Sequence, residues 1–273
     1  MKTIKSAVFT GGVLILSIAG YIAYLYSVTT SLPVEMKYFP TAYAAPSDAP
    51  VTPSGAKTSE TLFDLAHETV GAEPASFTAI VGSWVIGVAD DGRKVLVVDG
   101  RKWSSGQTSA SLADKARALY GERYAEFLDN VKAYAYFPFA VAKGIDDFRD
   151  GEISLRFEGI EGRIDQAAGI VFNLKPNGDY LILRANCLED NLVLFKYEHG
   201  KRSSVKWIRN TPTSSRQWHD LKLQVQGANV KGYLDGKLYL EHTLPVPVFG
   251  KVGVWSKADS VVYFDQYRVT KAG

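Results

Sequence analysis

Period-two alternation is the feature that most restricts this chain. Ile153, Leu155 and Phe157 alternate with Glu152, Ser154 and Arg156, and Leu221, Leu223 and Val225 alternate with Asp220, Lys222 and Gln224. Successive side chains of a strand point to opposite faces, so each run offers one face to a core and one to water. Turn residues separate such runs at short intervals. Asp235-Gly236 stands between Val230–Leu234 and Leu238–Leu240 and suits the positive φ angles of a tight hairpin; Asn177-Gly178 and His199-Gly200 mark further turns. Upstream, Trp84–Val88 and Lys94–Val98 flank Asp90-Asp91-Gly92-Arg93, again a hairpin pattern. The expectation is an all-β fold, an antiparallel β-sandwich from about Phe137 to Thr270, within a domain spanning residues 61–273.

Other strands lack a polar side. Ala168–Phe172, Leu192–Phe195 and Val252–Trp255 are apolar or aromatic on both faces. A sandwich with one wet outer face and one mixed outer face implies a groove or an overlying element on the latter. One helix interrupts the pattern: Leu112, Ala116, Leu119, Phe127 and Val131 recur near helical spacing after Ser111, a plausible N-cap, which predicts an inserted amphipathic helix over about 111–133.

The N-terminus speaks to location. Lys2 and Lys5 precede an uncharged, mostly apolar stretch from Ala7 to Val28, about the length a helix needs to cross a bilayer. Ala42-Tyr43-Ala44 resembles a small-residue cleavage site, so residues 1–28 read as either a membrane anchor or a signal helix; both export the rest. Residues 29–60, Ala/Pro/Ser/Thr-rich from Ala45 to Ser59, read as an extended linker. The net charge of +2 and the lack of a basic run argue against a nucleic-acid partner. The lone Cys187 excludes an internal disulfide, and His67, His199, His219 and His242 lack metal-ligand spacing.

The segments Asp165–Gly169, Arg184–Asn191, Trp218–Leu221, Tyr233–Lys237 and Gly250–Asp265 occur in this order. Together they resemble the concanavalin A-like lectin/glucanase superfamily, nearest to the bacterial branch labelled family 16 glycoside hydrolase-like or 3-keto-disaccharide hydrolase-like. The resemblance implies a jelly-roll sandwich and relatives that mostly handle glycans. It does not carry over an activity. Family 16 enzymes place their carboxylates as Glu-x-Asp-x-(x)-Glu on one strand, and this chain has no such triplet.

On β-spacing, Tyr180, Arg184 and Asn186 share one strand face, with Trp255 and Lys257 on another strand of the same sheet and Trp207 as a further aromatic. Rings that stack on sugars beside groups that bond hydroxyls make these six the expected ligand-binding set. Arg184 needs a partner inside so apolar a strand, and Glu189 or Asp265 would serve. Sandwich lectins often hold calcium in loop carboxylates, so Glu189, Asp190 and Asp265 are the expected residues of a structural calcium; the alternative is that they shape a turn. No other cofactor is expected. The functional expectation is an exported, non-catalytic glycan-binding or cell-envelope domain. The alternatives are a glycoside-processing hydrolase and a structural or protein-interaction sandwich.

Overall fold

The computed structural model describes residues 58–102, 137–199 and 201–273. The expected membrane or signal helix, nearly all of the linker and the inserted helix at 111–133 lie outside these residues. Their regular structure is strand, apart from one 3-10 turn at Gly100–Lys102. In chain order the strands are β1 (Ser59–Leu62), β2 (Phe77–Val81), β3 (Trp84–Val88), β4 (Lys94–Asp99), β5 (Phe139–Ala142), β6 (Gly151–Glu161), β7 (Ala167–Leu174) and β8 (Tyr180–Asn186). There follow β9 (Asn191–Glu198), β10 (Lys201–Arg209), β11 (Trp218–Gln226), β12 (Asn229–Leu234), β13 (Lys237–Thr243), β14 (Lys251–Ser256) and β15 (Val261–Lys271). β1 begins inside the stretch whose composition reads as linker.

Two antiparallel sheets result. The back sheet runs β13-β12-β11-β6-β15-β4-β3, with β1 beside β15; the front sheet runs β10-β9-β8-β7-β14-β5-β2. Consecutive strands pair in the runs β3-β4, β11-β12-β13 and β7-β8-β9-β10, and pairs distant in sequence, such as β15 with β6 and β4 and β14 with β7 and β5, join these runs into sheets. The alternating strands β6 and β11 sit in the back sheet, and the two-sided apolar strands β7, β9 and β14 sit in the front sheet. Ile153, Leu155, Phe157, Leu221 and Leu223 meet Leu181 and Leu183 between the sheets, all buried, as the alternation requires. The Asp235-Gly236 hairpin has the expected positive φ angles, 50° and 76°.

The front sheet has a second apolar layer on its outer face. Tyr180, Ile182, Phe195, Tyr197 and Trp255 are all buried there. Tyr180 stacks on Tyr197 at 5.1 Å, and Phe137 lies across the layer, stacked on Trp255 with ring centroids 5.6 Å apart. The mixed face is therefore covered over its aromatic part and is not an open groove there.

Candidate functional site

Register places Arg184 in one transverse row of the front sheet with two tryptophans. Trp255 pairs with Gly169, Gly169 with Arg184, Arg184 with Val193 and Val193 with Trp207. Arg184 thus stands between two indoles, with Trp255 0% exposed and Trp207, on the edge strand, 43% exposed. Gly169 is the low point of the row. A Cβ there would meet the Leu183 carbonyl oxygen at 3.0 Å and the Trp255 ring at 3.3 Å.

Arg184 is 1% exposed. Its Nη1 donates to Glu189 Oε2 at 3.0 Å, and its guanidinium lies 5.3 Å from the Phe195 ring and 5.9 Å from the Trp207 ring. Burial pushes its pKa down and the Glu189 charge opposes that; an arginine remains a cation in either case. Its Nε is buried without a hydrogen-bond partner. The Glu189 side chain is 36% exposed and also accepts from Asn191 Nδ2 at 2.8 Å. Burial raises its pKa, but the Asn191 bond and the Arg184 charge outweigh this and hold it below the usual value.

A second ion pair lies beside the first. Lys257 Nζ is 2.7 Å from Asp165 Oδ2, and Asp165 is fully buried. Burial pushes the Asp165 carboxyl up, opposed by Lys257; Glu189 adds to the rise and Arg184 resists it. The two pairs therefore share one electrostatic field of alternating sign. Asn186 Nδ2 donates to Asp165 Oδ1 at 2.8 Å, while its Oδ1 accepts from the backbone of Gln166 and Leu188. That side chain fastens the start of β7 to the end of β8.

All six expected ligand-binding residues lie on this face or its rim, but only Trp207 is broadly open. Tyr180 and Trp255 belong to the buried aromatic layer, Asn186 is spent on internal hydrogen bonds, and Lys257 is mostly covered by its ion pair. The three expected calcium residues are not brought together. Glu189 and Asp190 sit in the β8–β9 turn, where Asp190 Oδ1 accepts from Thr213 N at 2.9 Å. Asp265 lies in the back sheet, ion-paired to Arg93. Among the described residues no grouping of three or more His, Cys, Asp or Glu side chains is placed to hold a metal.

Sequence reasoning found Glu189 as a partner for Arg184 but missed the partners of Lys257 and Asn186. Asp165 and Asn191 entered only as ends of the segments Asp165–Gly169 and Arg184–Asn191. Asp259 was not singled out, yet its carboxylate accepts from the backbone N–H groups of Arg163, Ile164 and Asp165 at 2.8–3.1 Å. Ser260 Oγ accepts from Ala167 N. The Lys257-Ala258-Asp259-Ser260 run thus clamps the start of β7. A run of polar residues between two apolar strands was the available signal.

A shallow depression of about 290 Å³ lies elsewhere, on the outer face of the back sheet beside Arg156, Lys222 and Tyr233. Its cations are paired, Arg156 with Asp220 and Lys222 with Glu152, both at 3.5 Å. Such solvated pairs are ordinary for a wet sheet face.

No family model matches the chain, and no curated protein matches it. Solved structures do. Carbohydrate-binding module CBM66 from Bacillus subtilis superposes with a TM-score of 0.50 at 17% identity, over 72% of this chain and 96% of that one. A Bacillus subtilis protein of unknown function with a galectin-like fold gives 0.43 at 14% identity, over 72% and 89%. A Bacillus licheniformis beta-glucanase gives 0.42 at 12% identity, over 78% and 92%. At these identities the likeness is one of fold, and the fold of this chain is the concanavalin A-like jelly-roll sandwich.

Proposed function

We propose that this chain is an exported, non-catalytic glycan-binding sandwich, and that its ligand is taken at the Trp207 end of the transverse row. The observation that carries the reading is an exposed indole on an edge strand, set beside a buried guanidinium that fixes a half-open carboxylate. A sugar ring stacks on Trp207 through its apolar face. Glu189, held ionised and oriented by Arg184 and Asn191, accepts from the hydroxyls. Burial makes Arg184 a positioning residue in this scheme. The fold shared with a carbohydrate-binding module supports the assignment, as does the position of the other nearby carboxylate. Hydrolysis by two carboxylates needs both presented to the glycosidic bond. Asp165 is fully buried, with its oxygens facing Asn186 and Lys257. Export rests on Lys2 and Lys5 ahead of the apolar Ala7–Val28 stretch.

The test is a glycan array probed with the full chain, beside Trp207→Ala and Glu189→Gln. Retention of one glycan class is expected, weakened roughly 10-fold or more in each variant. No retention anywhere on the array would sink the reading. Release of reducing sugar from a retained glycan would move the protein to the hydrolases. Recovery of the chain in the cytosol with Met1 intact would remove the export half.

A further inference from the structure

The end of the sandwich opposite the Arg184–Glu189 pair is built from different chemistry. Residues 244–250 join β13 to β14 with the sequence Leu-Pro-Val-Pro-Val-Phe-Gly. Leu244 and Val248 are buried and pin this loop to the core, while Val246 and Phe249 are 63% and 45% exposed. The backbone is tied down by Leu244 N to Ala228 O, Val248 N to Gly227 O, Phe249 N to Asn173 Oδ1 and Gly250 N to Phe148 O, and the Phe249 carbonyl accepts from Lys175 Nζ. Pro245 and Pro247 have no N–H to leave unsatisfied. The tip is therefore rigid, apolar and poor in free donors, which lowers its cost of entering a medium without water.

Two cations collar Phe249. The Arg149 guanidinium lies 4.5 Å above its ring and the Lys175 ammonium 5.4 Å from it. Among the described residues neither forms an ion pair with a carboxylate, whereas their neighbours Lys251 and Lys271 are paired with Asp146 and Asp147. Long cationic side chains beside exposed apolar groups suit the depth of lipid phosphates.

Register adds an independent observation. Ser59 pairs with Lys271, Lys271 pairs with Gly151, and Phe148 bridges Gly250. The chain that carries residues 1–57 thus joins the sandwich at the same end as the apolar tip. Those residues include the uncharged stretch from Ala7 to Val28, long enough to cross a bilayer.

We propose that this end of the sandwich rests on an anionic lipid surface, with Val246 and Phe249 below the phosphates and Arg149 and Lys175 among them. The surface shares with the proposed function only the export of the chain; it does not depend on glycan binding. It turns the Trp207 end away from the bilayer.

The test places a polarity-sensitive fluorophore on a single introduced cysteine in the full chain, at Val246→Cys or, on the far end, at Leu238→Cys. Native Cys187 is partly buried and its thiol is pushed up to about 11, so it stays unlabelled at neutral pH. Vesicles of phosphatidylcholine with phosphatidylglycerol are the probe. The expected result is a blue shift and a several-fold brightening at position 246, quenched by brominated acyl chains, with position 238 unchanged. Arg149→Glu with Lys175→Glu should remove most of the response. An equal response at both positions, or none at either, overturns the proposal. So does an equal response on phosphatidylcholine alone, which would leave the cation collar without a role. Melting curves of the labelled proteins confirm that both remain folded.

Discussion

Arg184 and Glu189 stand five residues apart in sequence, and their side chains meet at 3.0 Å across the β8–β9 turn. The pair is lopsided, because the cation is 1% exposed and the anion 36%. Removing either partner therefore has a different consequence. Glu189→Gln leaves a buried guanidinium without its counter-charge, and a loss of about 1–3 kcal/mol is expected. Arg184→Met removes the buried charge, fills most of its volume and frees a carboxylate that water can reach. It should cost less. Thermal melts of the two variants decide the matter, at roughly 2–4 °C per kcal/mol. A larger loss for Arg184→Met would contradict the asymmetry.

Asp165 and Asp259 should shape the pH dependence of stability in opposite senses. Burial holds the Asp165 carboxyl above its ordinary 3.8 despite Lys257. The folded state thus binds that proton more tightly than the unfolded state does, and its contribution is lost as pH rises from about 4 toward the folded value. For Asp259 burial acts the same way, but the N–H groups of Arg163, Asp165 and Ile164 outweigh it and hold the carboxyl below 3.8. Its contribution is present above about pH 4 and is lost as pH falls through the folded value. Melting temperatures between about pH 2.5 and 7 should show a flatter neutral side for Asp165→Asn and a shallower acid limb for Asp259→Asn. Unchanged slopes in either variant would refute that residue's assignment.

The two tryptophans of the row should separate binding from folding. Trp207 gives up an edge-on contact with Phe195 at 5.7 Å, so Trp207→Ala should cost about 1 kcal/mol while abolishing most glycan retention. Trp255 is fully buried, and Trp255→Ala should cost about 3–5 kcal/mol. If Trp207→Ala keeps full retention, the exposed indole is not the platform.

Between the sheets, Gly232 faces β8 and β9. An added Cβ would lie 2.7 Å from Leu183 Cδ1 and 3.4 Å from Leu192 Cδ2. The neighbour is a side-chain end, so it can shift, and Gly232→Ala should lower stability by about 1–3 kcal/mol through overpacking. A denaturant titration with an unchanged slope and a lower midpoint would confirm this.

What was legible from the sequence follows from what is local. Alternation in Glu152–Phe157 and Asp220–Val225 fixes which side chains point inward, and Asp235-Gly236 fixes a turn within four residues. Arg184 demanded an anion, and the nearer of its two expected partners in sequence, Glu189, is the one it meets. The rest depends on contacts between distant segments. Nothing within β14 tells whether Trp255 faces a ligand or Phe137, because a two-sided apolar strand reads the same in either case. Lys257 looked like a donor to ligand, but its charge is spent on Asp165, which arrives from the start of β7. The lesson is specific: a polar residue flanking a buried strand is more safely assigned to the fold until its partners are known.

The position of β10 has one more consequence. Among the described strands it is one of the two edges of the front sheet, the other being β2, and an unpaired edge is a template on which other chains can add strands. Its pairing with β9 is broken by a bulge between Ser204 and Lys206, and it carries Lys201, Arg202, Lys206 and Arg209. Irregular backbone and repeated positive charge discourage a second copy from docking edge to edge. The same strand that holds Trp207 out to solvent therefore protects the molecule against polymerising through that strand.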